Sequence, residues 1–245
     1  MIEAERVTSR QNPLIQHMAR LARDAAARRE TGELLCEGEK LLRDALDTGF
    51  APVAVLYADG QAVPPLPRGT RAVCVPPAIL ESVSALRSPP GVLFTLKHPE
   101  PAEAVSPDGR HILLDRMQDP GNVGAILRTA EAFSVDTVLL TPGCADPYGP
   151  KALRAAMGAA LRQKVAFVEP DTLPAMPLVA LDTDGDDIRD WKPGPCVAVI
   201  GSEGEGVSPD LLARCETRLR VPMTGKAESL NAAVAAAVLM WEMTH

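Results

Sequence analysis

Leu114-Asp-Arg-Met-Gln-Asp-Pro-Gly-Asn-Val-Gly-Ala-Ile-Leu-Arg-Thr-Ala130 is the stretch on which the fold turns. An apolar run ending at Asp115 reads as a buried strand, a Pro-Gly turn follows, and a helix opens near Asn122. A strand end that meets a helix N-terminus is where open α/β sheets place their ligands. Free N–H groups and the positive dipole end make such a place hospitable to an anion. Arg128 stands six residues beyond Asn122 and could reach back over the same crevice if Asn122 caps the helix. Read alone, the segment equally allows a plain cap at Asn122 and a solvated Arg128.

Toward the C-terminus, short apolar runs recur at 137–140, 164–168, 178–181, 197–200 and 218–221. Bounded by turn residues and separated by helical stretches, they read with 111–115 as doubly buried strands of a mainly parallel sheet. Two of them run into polar or glycine-rich segments. Ala198-Val-Ile-Gly-Ser-Glu-Gly-Glu-Gly-Val-Ser208 places three glycines directly after a strand, a sharp turn where backbone approaches a ligand or another backbone. Its G-x-x-G-x-G spacing is neither a Rossmann fingerprint nor a P-loop. Glu203 and Glu205 disfavour phosphate and suit a cationic or electron-poor ligand. Val221-Pro-Met-Thr-Gly-Lys-Ala-Glu-Ser-Leu-Asn-Ala-Ala-Val234 sets Ser229 or Asn231 at the mouth of the last helix. Leu230, Ala233, Val234, Ala237, Val238 and Trp241 make one face of that helix apolar, which fits a dimer face or an intramolecular core equally well.

Toward the N-terminus, residues 99–109 are rich in proline and acid and read as a linker. This predicts domains over 1–98 and 110–245. In the first, Asn12-Pro13 starts a helix, and strands are expected at 34–36, 53–57, 71–75 and 91–96, with helices near 40–48 and 78–86. With 46% hydrophobic and 23% charged residues the chain is globular rather than disordered. No apolar run reaches the roughly 20 residues of a bilayer span. With no leader-like N-terminus, a cytoplasmic, non-membrane protein is expected. Cys36, Cys74, Cys144, Cys196 and Cys215 and the four histidines are scattered, so neither a disulfide framework nor a metal site is expected. A net charge of −7 argues against gripping nucleic acid by bulk positive charge. Residues 1–29 nevertheless hold six arginines against three acids. Arg10, Arg20, Arg23, Arg28 and Arg29 are therefore the candidates for an RNA backbone.

In this order the three segments resemble the motifs of the SpoU-type RNA ribose 2′-O-methyltransferases of the knotted SPOUT superfamily, over roughly residues 114–242. The matching patterns are N-x-G-x-x-x-R at Asn122–Arg128, I-G-S-E-G-x-G at Ile200–Gly206, and V-P-M followed by S-L-N at Val221–Asn231. Asp146–Gly158 is similar to a family segment between the first two motifs, and Thr8–Lys40 is similar to the small substrate-binding domain of many members. The resemblance implies an α/β chain with a small N-terminal α/β substrate-binding domain and a C-terminal parallel sheet tied in a trefoil knot. It implies a homodimer that completes each site, and S-adenosylmethionine held by Thr141, Ile200, Gly201, Val221, Met223, Ser229 and Leu230. Asn122, Arg128, Glu203, Ser229 and Asn231 match the family's active-site positions.

A sulfonium methyl is already activated, so such an enzyme must chiefly align a ribose hydroxyl, an effect that can contribute about 7–11 kcal/mol. A guanidinium stays protonated in proteins. Arg128 is therefore expected to anchor the neighbouring phosphate and steady the developing alkoxide, while a phosphate oxygen or water takes the proton. Glu203 and Asn231 are expected to hold loops and Arg128 in place. The two-domain form resembles ribosomal enzymes more than minimal tRNA enzymes, which makes 23S rRNA the expected target. The alternatives are a tRNA ribose methyltransferase and a non-catalytic RNA-binding protein that keeps the fold.

Overall fold

The computed structural model describes residues 5–102, 105–226 and 228–245. Glu3 of the N-terminal charge balance, Glu103 and Ala104 of the expected linker, and Ala227 of the third motif lie outside the described residues. Two compact units divide the chain: residues up to Pro99 with Tyr148–Arg154, and Glu100–Pro147 with Ala155–His245.

The first unit runs β1 (Glu5–Arg6), α1 (Pro13–Arg23), α2 (Ala25–Thr31), β2 (Glu33–Glu37), α3 (Glu39–Asp47), β3 (Ala54–Ala58), β4 (Arg71–Val75), α4 (Pro77–Val83) and β5 (Val92–Lys97). Its five-stranded sheet has the order β1-β4-β3-β5-β2. β1, β4 and β3 run parallel, and β5 is antiparallel to both its neighbours. Asn12 caps α1 as the sequence predicts, accepting from the Leu14 N–H at 2.9 Å, with Pro13 in the first turn. The core joins Ile15, Met18 and Leu21 of α1 to Leu35, Leu56, Val73 and Leu93 of the sheet. One element was not anticipated. Asp24 ends α1 in extended geometry and caps a separate α2 through the Ala26 N–H, and Gly32 closes that helix at φ +61°. Arg28 and Arg29 therefore lie on α2 rather than on the first helix.

The second unit contains β6 (Arg110–Leu114), α5 (Pro120–Ala132), β7 (Thr137–Leu140), α7 (Ala159–Arg162), β8 (Val165–Phe167), β9 (Leu178–Asp187), β10 (Cys196–Ile200), α8 (Pro209–Arg214), β11 (Thr217–Arg220) and α9 (Ala232–Thr244), while α6 (Pro150–Ala156) crosses the division. All neighbours in its six-stranded sheet, ordered β11-β9-β10-β6-β7-β8, are parallel. The continuous apolar runs are explained by burial on both faces: Ile112, Leu113, Leu114, Val197, Val199 and Leu139 are all buried.

From β6 the chain moves to β7 on one side and returns later to β10 on the other. The carboxyl ends of β6 and β10 therefore flank a topological switch point, the usual site of a ligand crevice. β9 continues beyond the expected 178–181, because its acidic run to Asp187 stays extended. Opposite Arg218 and Leu219 its pairing jumps from Ala180 to Asp186, so residues 181–185 bulge out of the ladder.

Candidate functional site

The main chain after β10 makes the floor of the crevice. Gly201 is compulsory there, since a Cβ would lie 2.0 Å from the Gly206 carbonyl carbon. Ser202 and Gly206 exchange both backbone hydrogen bonds, at 3.1 and 3.0 Å, and Gly206 takes φ +68° to close the loop. Beyond it the Ser208 N–H donates at 2.7 Å to Oδ2 of Asp115, a carboxylate only 2% exposed at the end of β6. The two strand ends that bound the crevice are thus fastened to each other.

The start of α5 departs from the sequence expectation, and the departure explains the site. Asp119, not Asn122, is the cap, accepting from the N–H groups of Gly121 and Asn122. Pro120 directly after an aspartate was the available signal, because proline is favoured at the first helical position. Relieved of capping, Asn122 donates through Nδ2 to Glu203 Oε1 at 2.7 Å and accepts at Oδ1 from Asn231 Nδ2 at 3.0 Å. Asn231 in turn caps α9, accepting from the Ala233 and Val234 N–H groups, so Ser229 is not that helix's cap. One amide thereby joins residues from all three sequence segments.

Burial opposes ionisation of Glu203, but hydrogen bonds from Asn122 and from the backbone N–H groups of Glu203, Asp119 and Gln118 prevail and hold its carboxyl below the usual carboxylate range.

A cavity of about 830 Å³ opens beside this network, lined among others by Ile200, Gly201, Glu203, Val221, Met223, Ser229, Leu230 and Asn231. Its volume lies within the 300–1,000 Å³ typical of small-molecule sites. Asp182, Glu203, Glu205 and Glu228 outnumber Arg220 among its lining residues, so the charged part of the lining is predominantly acidic. Ile200, Val221, Met223 and Leu230 add apolar surface and Ser202, Ser229 and Asn231 add neutral polar groups, so the residues present fit a flat heteroaromatic ring attached to a cationic centre.

Two candidates stand apart. Thr141 is buried behind the crevice, where its Oγ1 accepts from the Arg116 N–H at 3.0 Å. Arg128 is exposed on α5, outside the cavity lining, with no hydrogen bond or ion pair among the described residues. The expectation that it reaches back over the crevice does not hold within one chain. Six residues along a helix turn it through about 600°, so it leaves the face Asn122 occupies. Sequence reasoning passed over Asp115, Arg116 and Asp119; only the aspartate–proline pair carried a readable signal.

Among the candidate RNA contacts, Arg28 is a correction. It is 5% exposed and donates to the Leu21 carbonyl, because α2 turns it under the domain instead of outward. Arg20 is occupied by Glu30 at 2.7 Å and Asp24 at 3.6 Å, and Arg23 donates to the Ser82 carbonyl. Arg10 and Arg29 are exposed and have no acidic partner among the described residues.

The SpoU rRNA Methylase family matches residues 109–241. The chain belongs to that family. An MRM3-like substrate binding domain matches residues 12–93 in front of the SpoU region. The chain is 30% identical to the 23S rRNA (guanosine(2553)-2′-O)-methyltransferase of Bacillus subtilis, over 88% of this chain and 90% of that one. It is 31% identical to the 23S rRNA (uridine(2479)-2′-O)-methyltransferase of Streptomyces viridochromogenes, over 98% and 91%. The crystal structure of the SpoU methyltransferase AviRb from Streptomyces viridochromogenes, in complex with AdoMet, matches with a TM-score of 0.83 at 25% identity, covering 96% of this chain and 97% of that one.

Among the described residues, no helix of this SpoU protein is long and apolar enough to cross a membrane. Nor do three or more metal-ligating side chains gather among them.

Proposed function

We propose that this SpoU protein transfers the methyl group of S-adenosylmethionine to a ribose 2′-hydroxyl of RNA, with 23S rRNA as substrate. The observation that carries the reading is the hydrogen-bonded chain Glu203–Asn122–Asn231 at the switch point, beside a cavity walled by the glycine turn. The relatives that act on 23S rRNA ribose support it, and they act on different nucleotides.

In this reading, residues 1–98 bind RNA, 99–109 link, and 110–245 catalyse. Gly201 lets backbone approach the cofactor. Ile200, Val221, Met223 and Leu230 hold its apolar part, with Ser229 at the rim and Thr141 supporting from behind. The bound cofactor supplies an activated methyl on a sulfonium.

The chain's own residues must then place the nucleophile. Glu203 accepts from Asn122 and from backbone through Oε1, and its lowered pKa makes it a poor base, so it orients. Arg128 anchors the RNA phosphate and steadies the alkoxide, and the proton leaves to a phosphate oxygen or water. Because Arg128 stands free of its own chain's cavity, a second copy would complete the site. Val234 and Trp241, each 50% exposed on α9, support such a homodimer. The trefoil knot and the cytoplasmic location belong to the same proposal.

The test incubates purified protein and radiolabelled S-adenosylmethionine with 23S rRNA and, in a parallel reaction, with tRNA, both from cells lacking the gene, then digests each RNA to nucleosides. Label in a 2′-O-methylnucleoside is expected. Label in a methylated base, or none, overturns the reading, and label in tRNA alone moves the substrate.

A further inference from the structure

Arg116 follows β6 and takes φ +53°, a left-handed conformation uncommon outside glycine. Its N–H is held by the buried Thr141 hydroxyl at 3.0 Å. Its Nη1 donates to Glu205 Oε2 at 2.7 Å, across the crevice on the glycine turn. Its Nε is buried without a hydrogen bond, 3.5 Å from Asp115 Oδ1. An unsatisfied buried donor in an uncommon backbone conformation marks a residue held where the surroundings need it.

The turn is thus gripped on both flanks. Glu203 is tied to Asn122 at the head of α5, and Glu205 is tied to Arg116 at the end of β6. Its backbone rim is closed by the Ser202–Gly206 pair, which joins the two grips through one short loop. Releasing one flank would leave it to pivot about the other.

We propose that Arg116 is a positioning residue, acting through Glu205 to set the height of the glycine turn and so the fit of the cofactor cavity. The inference rests on the methyltransferase reading above. Glu205 is 73% exposed, so the pair adds little to global stability and is screened by salt. Its effect belongs in cofactor affinity. The ribose-aligning chain Glu203–Asn122–Asn231 is not part of the latch.

The test measures methyl transfer and S-adenosylmethionine binding by calorimetry for wild type, Arg116→Met, Glu205→Gln, the double variant and Arg116→Lys. Each single change is expected to raise the cofactor KM on the order of threefold to tenfold, with kcat within about twofold and little change in melting temperature. The double variant is expected to be no worse than the poorer single, because both remove one interaction. Arg116→Lys keeps a cation for Glu205 and should recover part of the affinity, which a merely structural role would not predict. Added salt should weaken cofactor binding more in wild type than in Arg116→Met. Additive losses, or an unchanged KM in Arg116→Met beside a wild type that binds normally, overturn the latch alone. A wild type that binds no S-adenosylmethionine overturns the methyltransferase reading and the latch with it.

Discussion

Asn122 shows how much one side chain can decide. Its amide offers a donor to Glu203 and an acceptor to Asn231, and no carboxylate or alkyl group of that size can do both. Glu203 is correspondingly sensitive to acid. Its folded pKa is depressed, so its stabilising contribution is complete above the ordinary glutamate value near 4.3 and is lost as pH falls through the folded value. S-adenosylmethionine binding should therefore be flat between about pH 6 and 8 as far as Glu203 is concerned, and fall only as the pH drops through the folded value, below the ordinary glutamate range. Calorimetric titration across that range checks the sign. Arg128→Ala should keep cofactor binding and lose methyl transfer by two or more orders of magnitude, because it removes help given only in the transition state. Near-wild-type turnover would remove Arg128 from the mechanism.

At the scale of elements, helix ends do the joining. α5 is capped by Asp119 and α9 by Asn231, and the second cap is also a site residue. Asn231→Ala should thus cost twice: about 0.5–2 kcal/mol of stability from the lost cap, seen in denaturant melts, and a larger loss of activity as Asn122 loses a partner. Asn231→Asp, which still caps, should restore stability without restoring activity. α9 itself was only half legible. Periodicity picks out the face of Leu230, Ala233, Val234, Ala237, Val238 and Trp241, but the helix is apolar nearly all round and only Ala233 of that set belongs to the core. The core side proved to be Ala233, Ala236, Leu239, Met240 and Met243, leaving Val234 and Trp241 outward. Val234→Asp should yield a monomer in analytical ultracentrifugation and lose methyl transfer while retaining the fold by circular dichroism. A stable dimer would move the interface elsewhere.

At the scale of the whole molecule, the RNA-facing charge is smaller than the arginine count suggests. Arg28 is buried and Arg20 is paired, while Arg10 and Arg29 stay exposed. Removing the first helices would also remove Ile15, Met18 and Leu21 from the core, so charge reversal is the cleaner probe. Arg10→Glu with Arg29→Glu should weaken RNA binding at low salt and flatten its salt dependence by about two phosphate contacts, leaving S-adenosylmethionine affinity unchanged. Filter binding at several salt concentrations reads the slope, and an unchanged slope would dismiss this surface.

The parallel sheet was readable from the amino-acid order alone, because doubly buried strands are written as unbroken apolar runs. The three polar segments were readable for a related reason, since glycine, proline and asparagine mark backbone that only they accept easily. What needed the folded chain was partnership. Asp119-Pro120 marks the cap locally, but nothing local says that the freed Asn122 meets Glu203 and Asn231, or distinguishes Arg28 from Arg29 as the one turned inward. Nor does it foretell that Tyr148–Arg154 joins the first unit. Those outcomes depend on which groups meet across separations of tens of residues, and long-range packing alone brings them within hydrogen-bonding distance.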